Sequence, residues 1–219
     1  MTRVNFDRVL DRTPYLVFLA GSIASGKSSV RRMLSDLGAN CLSLDDIGHD
    51  LLHKDDKVKT QIVAQFGDEV YDRASQSIKR DVLADKVFGP DEAAAARLAQ
   101  LEAIMLPAIK AALLDKLIKT LDISSCRICV VEVPLLHKVE DLLDTPDEIL
   151  VIDAPFGLRL ERAQERGMSR DDFIGRSQHQ ASAAWLADHA DTIIINTRSV
   201  DALALQVQAW WESHEDLWS

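Results

Sequence analysis

The sequence predicts an α/β fold, a parallel sheet flanked by helices, and three observations carry that expectation. Short apolar runs alternate with segments of helical periodicity along the 219 residues, the pattern of βαβ units. A glycine-containing loop, Gly21–Ser28, joins the first apolar run to the first helical segment. A long helical stretch near 75–120 breaks the alternation and predicts a subdomain.

In order, Tyr15–Ala20 reads as a buried strand. The segment 27–37 reads as a helix through Val30, Met33, Leu34 and Leu37, closed by Gly38. Ala39–Leu44 is expected as a second strand, and helical spacing dominates 46–65 and 80–119, punctuated by Phe66-Gly67 and Gly89-Pro90. Arg127–Val133 and Glu148–Ile152 are β-branched runs suited to a sheet covered on both faces. Helices follow over Pro155–Arg166 and from Asp171, then a strand at Ala190–Asn196 and an amphipathic helix over 199–217. The expected division is a core of about 14–74, 126–154 and 189–219, with a helical subdomain at about 75–125 and a further segment at 155–188.

A hydrophobic content of 47% suits a globular core. The formal net charge of -10 argues against a general nucleic-acid binder, which needs a basic surface. No apolar run approaches a membrane span. The amino terminus, with Asp7 and Asp11, resembles neither a secretory signal nor a mitochondrial presequence. Cys41, Cys126 and Cys129 form no disulfide framework, which fits a reducing cytoplasm. Cys126 and Cys129 lack a second ligand pair and read as structural thiols, and His49, His137, His179 and His189 show no ligand spacing. A monomer or weak homo-oligomer is expected.

Gly21-Ser22-Ile23-Ala24-Ser25-Gly26-Lys27-Ser28 is a complete G-x-x-x-x-G-K-S, a P-loop, between a strand and a helix. Its glycines let backbone N–H groups converge on phosphates, and the following helix adds its positive end. In that chemistry Lys27 reaches the β- and γ-phosphates and the Ser28 hydroxyl ligates magnesium. The motif predicts a phosphotransferase using a nucleoside triphosphate.

Asp45 and Asp46 are expected to close the second strand, where a carboxylate can orient an acceptor hydroxyl. The competing reading is a cap for the next helix, and the residues alone leave both open. Glu132, ending the third strand, suits a carboxylate that steadies magnesium through water, or merely a polar strand end. Arg159, Arg162, Arg166, Arg170 and Arg176 lie in one stretch, with Ser169 and Asp172 spaced as a capping box. Beside a P-loop, such a helix–turn–helix suits a lid that clamps phosphates rather than a solvated face.

The chain resembles the dephospho-CoA kinases from about Tyr15 to Trp210. The resemblance rests on the P-loop with Ser28-Ser29-Val30, Leu37-Gly38, Asp45-Asp46-Ile47-Gly48-His49, Phe66-Gly67, Arg80 and Val87-Phe88. It continues in Pro107-Ala108-Ile109, Val133-Pro134-Leu135-Leu136, Arg162, Arg166, Gln180, Ala190-Asp191 and Asn196. It implies a nucleotide-kinase fold with a five-stranded parallel core, a helical acceptor-binding subdomain and a lid. It also implies ATP and Mg2+ acting to phosphorylate the ribose 3′-hydroxyl of dephospho-CoA.

On this resemblance Lys27, Asp45 and Arg162 are the catalytic candidates. Ser22, Ile23, Ala24, Ser25, Gly26, Lys27, Ser28, Ser29, Arg166 and Asn196 face the nucleotide, Asn196 near adenine. Asp45, Arg80, Pro134, Leu135 and Leu136 face the acceptor, and Ser28 and Glu132 the metal. The chain departs from the family pattern at Ser22 and Ala24, where glycines are usual, and at Ser43, Lys79, Leu106 and His137-Lys138. Most departures fall on the acceptor side. They motivate two alternatives: a related kinase acting on another nucleoside, nucleotide or small alcohol, and a non-catalytic nucleotide-binding module.

Overall fold

The computed structural model describes residues 14–88, 93–121 and 127–218. Gly89-Pro90, Cys126 and the amino-terminal residues read above lie outside the described residues. In chain order the elements begin with β1 (Tyr15–Gly21), α1 (Lys27–Asp36), β2 (Asn40–Ser43), α2 (Leu44–Lys54) and α3 (Asp56–Phe66). There follow β3 (Tyr71–Asp72), β4 (Ser77–Ile78), α4 (Arg80–Val87), α5 (Ala94–Leu121), β5 (Ile128–Glu132) and β6 (Glu148–Asp153). The chain continues with α6 (Phe156–Glu165), α7 (Arg170–Gln178), α8 (Ala183–Asp188), β7 (Thr192–Ile195) and α9 (Val200–Ser213). They group into two compact units, one of Leu44–Leu117 and one containing 14–43 and 118–218.

The second unit holds a five-stranded sheet in the order β2-β5-β1-β6-β7. Every pairing in it is parallel. Both faces are covered, which is why Leu16–Ala20 is apolar without alternation and buried throughout. On one face Val17, Leu19, Val130, Leu150, Ile152 and Ile194 pack with Val30 and Leu34 of α1 and Leu203, Val207 and Trp210 of α9. Each such side chain, fully buried, contributes roughly 1.5–3 kcal/mol. Helix α8 packs on β1 and β6. Where β6 begins, the buried Glu148 carboxylate accepts from Trp210 Nε1 at 2.8 Å and Tyr15 Oη at 3.2 Å, and lies 3.1 Å from His214 Nε2. Parallel pairing brings the carboxyl ends of all these strands to one edge, the edge at which open α/β sheets bind ligands.

The first unit is helical with one small hairpin, β3 against β4. Asp55 caps α3, its Oδ1 accepting from Val58 N at 2.9 Å. Lys59 on α3 is buried and donates to Gln76 O at 3.0 Å, so one cation ties the helix to the hairpin turn. No helix among the described residues is long and apolar enough to cross a membrane.

Several elements differ from the sequence expectation. Strand β2 ends at Ser43 and α2 starts at Leu44, so Asp45 and Asp46 open a helix instead of closing a strand. Two carboxylates in a first turn complement the helix dipole, and Ile47 and Leu51 give α2 a buried face. The hairpin at 71–78 was not expected, because two-residue strands are too short to show periodicity. The helix expected over 199–217 divides into α9 and a short helix Glu215–Trp218.

Candidate functional site

The phosphate loop leaves β1 at Gly21 and enters α1 at Lys27. Gly26 has a φ of +109°, and a Cβ there would stand 2.4 Å from Asn196 Nδ2, so only glycine fits. Ala24 has a φ of +58°, the left-handed region that glycine occupies freely and alanine does not. Ser22 and Ser25 are buried, Ile23, Ala24 and Ser29 half-buried, and Ser28 exposed. The Lys27 ammonium curls back over the loop and donates to Gly21 O at 2.8 Å and Ser22 O at 3.0 Å.

At the second residue of α1, the Ser28 hydroxyl donates to Glu132 Oε1 at 3.2 Å. Glu132 ends β5 and is buried, and its other oxygen meets Arg31 Nε at 2.9 Å. Burial pushes the neighbouring Cys41 thiol up to about 11, and that thiol donates to Arg31 O at 3.4 Å. A hydroxyl and a carboxylate together are the sparse hard-oxygen set that magnesium takes from protein when substrate phosphates supply the rest.

The α6–α7 segment is built by local rules. Ser169 caps α7, its Oγ accepting from Asp172 N at 3.1 Å as the spacing predicts. Arg162 on α6 donates through Nη2 to Asn196 Oδ1 at 3.2 Å, and Asn196 Nδ2 donates to Ser25 O at 2.8 Å. Asn196 thus links the arginine to the phosphate loop. Arg162 Nη1 and Ser25 Oγ are buried and, among the described residues, have no hydrogen-bond partner. These two donors fit an anionic ligand bearing acceptor oxygens. Arg166 is exposed at the carboxyl end of α6. Arg159 donates to Ala154 O at 2.9 Å and Ile23 O at 3.4 Å, and burial lowers its pKa from the ordinary value.

In the helical unit, Asp45 and His49 lie four residues apart on α2 and so on one face, and Arg80 at the start of α4 donates to His49 Nε2. Asp45 and Arg80 are both exposed. In the sheet unit, Pro134, Leu135 and Leu136 follow shortly after β5 ends at Glu132; Leu136 is buried and Leu135 is 38% exposed.

Sequence reasoning gave no part to Arg31 and did not foresee the hydrogen bonds of Gln180 to Ile23 or of Asn196 to Arg162 and Ser25. For Arg31 a signal existed: it stands three residues after Ser28, on the same helical face. Gln180 Oε1 accepts from Ile23 N at 2.7 Å, a contact across 157 residues that no local pattern foreshadows.

Comparison with known proteins follows the same outline. A family model described as dephospho-CoA kinase matches residues 15–202. The dephospho-CoA kinase of Latilactobacillus sakei subsp. sakei is 32% identical over 195 residues, covering 89% of this chain and 93% of that protein. Among solved structures, one from Thermus thermophilus has a TM-score of 0.74 at 25% identity, covering 92% of this chain and 98% of the other. The structure of dephospho-CoA kinase from Campylobacter jejuni has a TM-score of 0.68 at 25% identity, covering 91% and 96%.

Proposed function

Because the chain belongs to the dephospho-CoA kinase family, we propose that it transfers the terminal phosphoryl group of ATP to the ribose 3′-hydroxyl of dephospho-CoA, giving coenzyme A. The observation that carries this reading is the family match over 15–202, which takes in the phosphate loop, Asp45, Arg80, Glu132, Arg162 and Asn196 together.

Each residue then has a task. The loop from Ser22 to Ser29 cradles the phosphates, and Lys27 exchanges its two carbonyl partners for phosphate oxygens. Ser28 and Glu132 would hold Mg2+. The ion, when bound, neutralises phosphate charge during transfer. Asp45 orients the acceptor hydroxyl and takes its proton as the new oxygen–phosphorus bond forms. The bond from the transferred phosphorus to the β–γ bridging oxygen breaks, leaving ADP. Arg162 neutralises charge on the moving group. Asn196 holds Arg162 and the loop in register beside the adenine end, with Arg166 on the same donor side. Arg80, Pro134, Leu135 and Leu136 receive the acceptor.

The test is ATP turnover with Mg2+, comparing dephospho-CoA with adenosine, AMP and no acceptor. Turnover that depends on dephospho-CoA is the expected result. Faster transfer to another acceptor, or ATP binding without any transfer, would overturn it.

A further inference from the structure

Ile23 is the point at which the α6–α7 segment grips the phosphate loop. Its N–H donates to Gln180 Oε1 at 2.7 Å, and its carbonyl accepts from Arg159 Nη1 at 3.4 Å. The two partners come from opposite ends of the segment, Arg159 from α6 and Gln180 from just beyond α7. Arg159 is itself anchored. Its Nε donates to Ala154 O at 2.9 Å, and its guanidinium carbon lies 5.6 Å from the Phe156 ring centroid and 5.9 Å from that of Phe173.

The gripped residue adjoins the strained one. Ala24 sits at a φ of +58°, which costs an L-residue a factor of roughly five to tenfold or more in population. That angle is the rotation of the Ile23–Ala24 peptide plane about the Ala24 N–Cα bond. The oxygen of that plane is the Ile23 carbonyl on Arg159, and the N–H on Gln180 fixes the plane before it. The plane on the far side of Ala24 is held too, by Ser25 N donating to Ser22 O at 3.2 Å, so that with its flanking planes fixed Ala24 keeps a geometry it would otherwise leave.

We propose that Gln180 and Arg159 are positioning residues that clamp Ile23, hold Ala24 left-handed and so keep the phosphate cradle formed for the nucleotide. The α6–α7 segment therefore sets nucleotide affinity as well as assisting transfer. The inference rests on the donor-site reading above, but not on the identity of the acceptor.

The test is binding of ATP with Mg2+ to the full chain by calorimetry, for the wild type, Gln180→Ala, Arg159→Met, Ala24→Gly and the two double variants. Methionine retains an apolar stem against Phe156 and Phe173 while removing the donors. Gln180→Ala and Arg159→Met are each expected to weaken ATP binding roughly five- to tenfold. Ala24→Gly is expected to recover most of that loss, because glycine takes the left-handed region unaided. Its gain should be severalfold larger in either clamp variant than in the wild type. Turnover should show the same split, with the KM for ATP raised and that for the acceptor held. Single variants that bind ATP as tightly as wild type, or an Ala24→Gly effect equal in all backgrounds, would overturn the clamp alone. Failure of the wild-type chain to bind ATP would overturn the donor-site reading and the clamp with it.

Discussion

Arg31 meets Glu132 on the carboxylate oxygen that Ser28 leaves unused, Nε to Oε2 at 2.9 Å against Oγ to Oε1 at 3.2 Å. The arginine thereby fixes which oxygen faces the serine. Supporting partners of this kind typically change metal affinity or activity 10–100-fold when removed. Arg31→Ala is expected to raise the magnesium concentration for half-maximal turnover by roughly tenfold. Stability should also fall, by roughly 1–3 kcal/mol or more, since the buried Glu132 carboxylate loses its cation. Magnesium titration of the initial rate, with thermal melts of both proteins, checks this. An unchanged magnesium midpoint would remove Arg31 from the site.

Two hydrogen bonds of Lys27 go to carbonyls of its own loop, Gly21 and Ser22, and neither reaches the core beneath. Its removal should therefore be felt in transfer more than in folding. Lys27→Ala is expected to lower the turnover rate by about 10²–10³, the scale seen when a donor to developing charge is deleted. Steady-state rates alongside melting curves decide it. Equal losses of activity and thermal stability would count against a role at phosphate.

How much of this was legible in sequence depends on the range of each interaction. The loop Gly21–Ser28 could be read outright, because its motif, strand and helix are contiguous. Glu132 could be suspected as a strand-end acid, but its pairing with Arg31 requires knowing that β5 lies beside β1 in the sheet. The five strands were visible as apolar runs because a sheet covered on both faces needs no alternation. The small hairpin was invisible: Tyr71–Asp72 and Ser77–Ile78 are held by the turn, with Asp72 Oδ1 accepting from Ala74 N at 2.9 Å. Asp45 and Asp46 were placed at a strand end because carboxylates serve strand ends and helix starts alike. Ala24 shows the reverse case, a departure from the family pattern whose cost becomes evident only in its φ.

Asn196 is buried between two demands, accepting from Arg162 and donating to Ser25 O. Asn196→Ala leaves both groups short of a partner and should cost about 1–3 kcal/mol of stability. It should also raise the KM for ATP. Asn196→Asp keeps the acceptor for Arg162 but turns a carboxylate oxygen toward the Ser25 carbonyl. It is therefore expected to impair ATP binding more than it impairs the Arg162 contact. Chemical denaturation and nucleotide titration of both variants separate the two effects. Identical behaviour of the two variants would mean that the Arg162 contact carries no weight.

At the opposite end of the sheet, Tyr15 donates to Glu148 Oε2 at 3.2 Å, and its phenol is pushed up to about 12 by burial, with the Glu148 carboxylate adding to the shift. The sign of its effect on stability follows from proton counting. Between the ordinary tyrosine value near 10 and the folded value, the unfolded chain releases the phenolic proton while the folded chain keeps it. The contribution from Tyr15 is therefore fully present below about pH 10 and is lost as pH rises toward the folded value. Urea unfolding between about pH 9 and 11.5 should show stability falling with pH more steeply in the wild type than in Tyr15→Phe. Phenylalanine cannot ionise, so the difference between the two slopes isolates the phenol. Parallel slopes would show that this proton is no better held in the folded state than in the unfolded one.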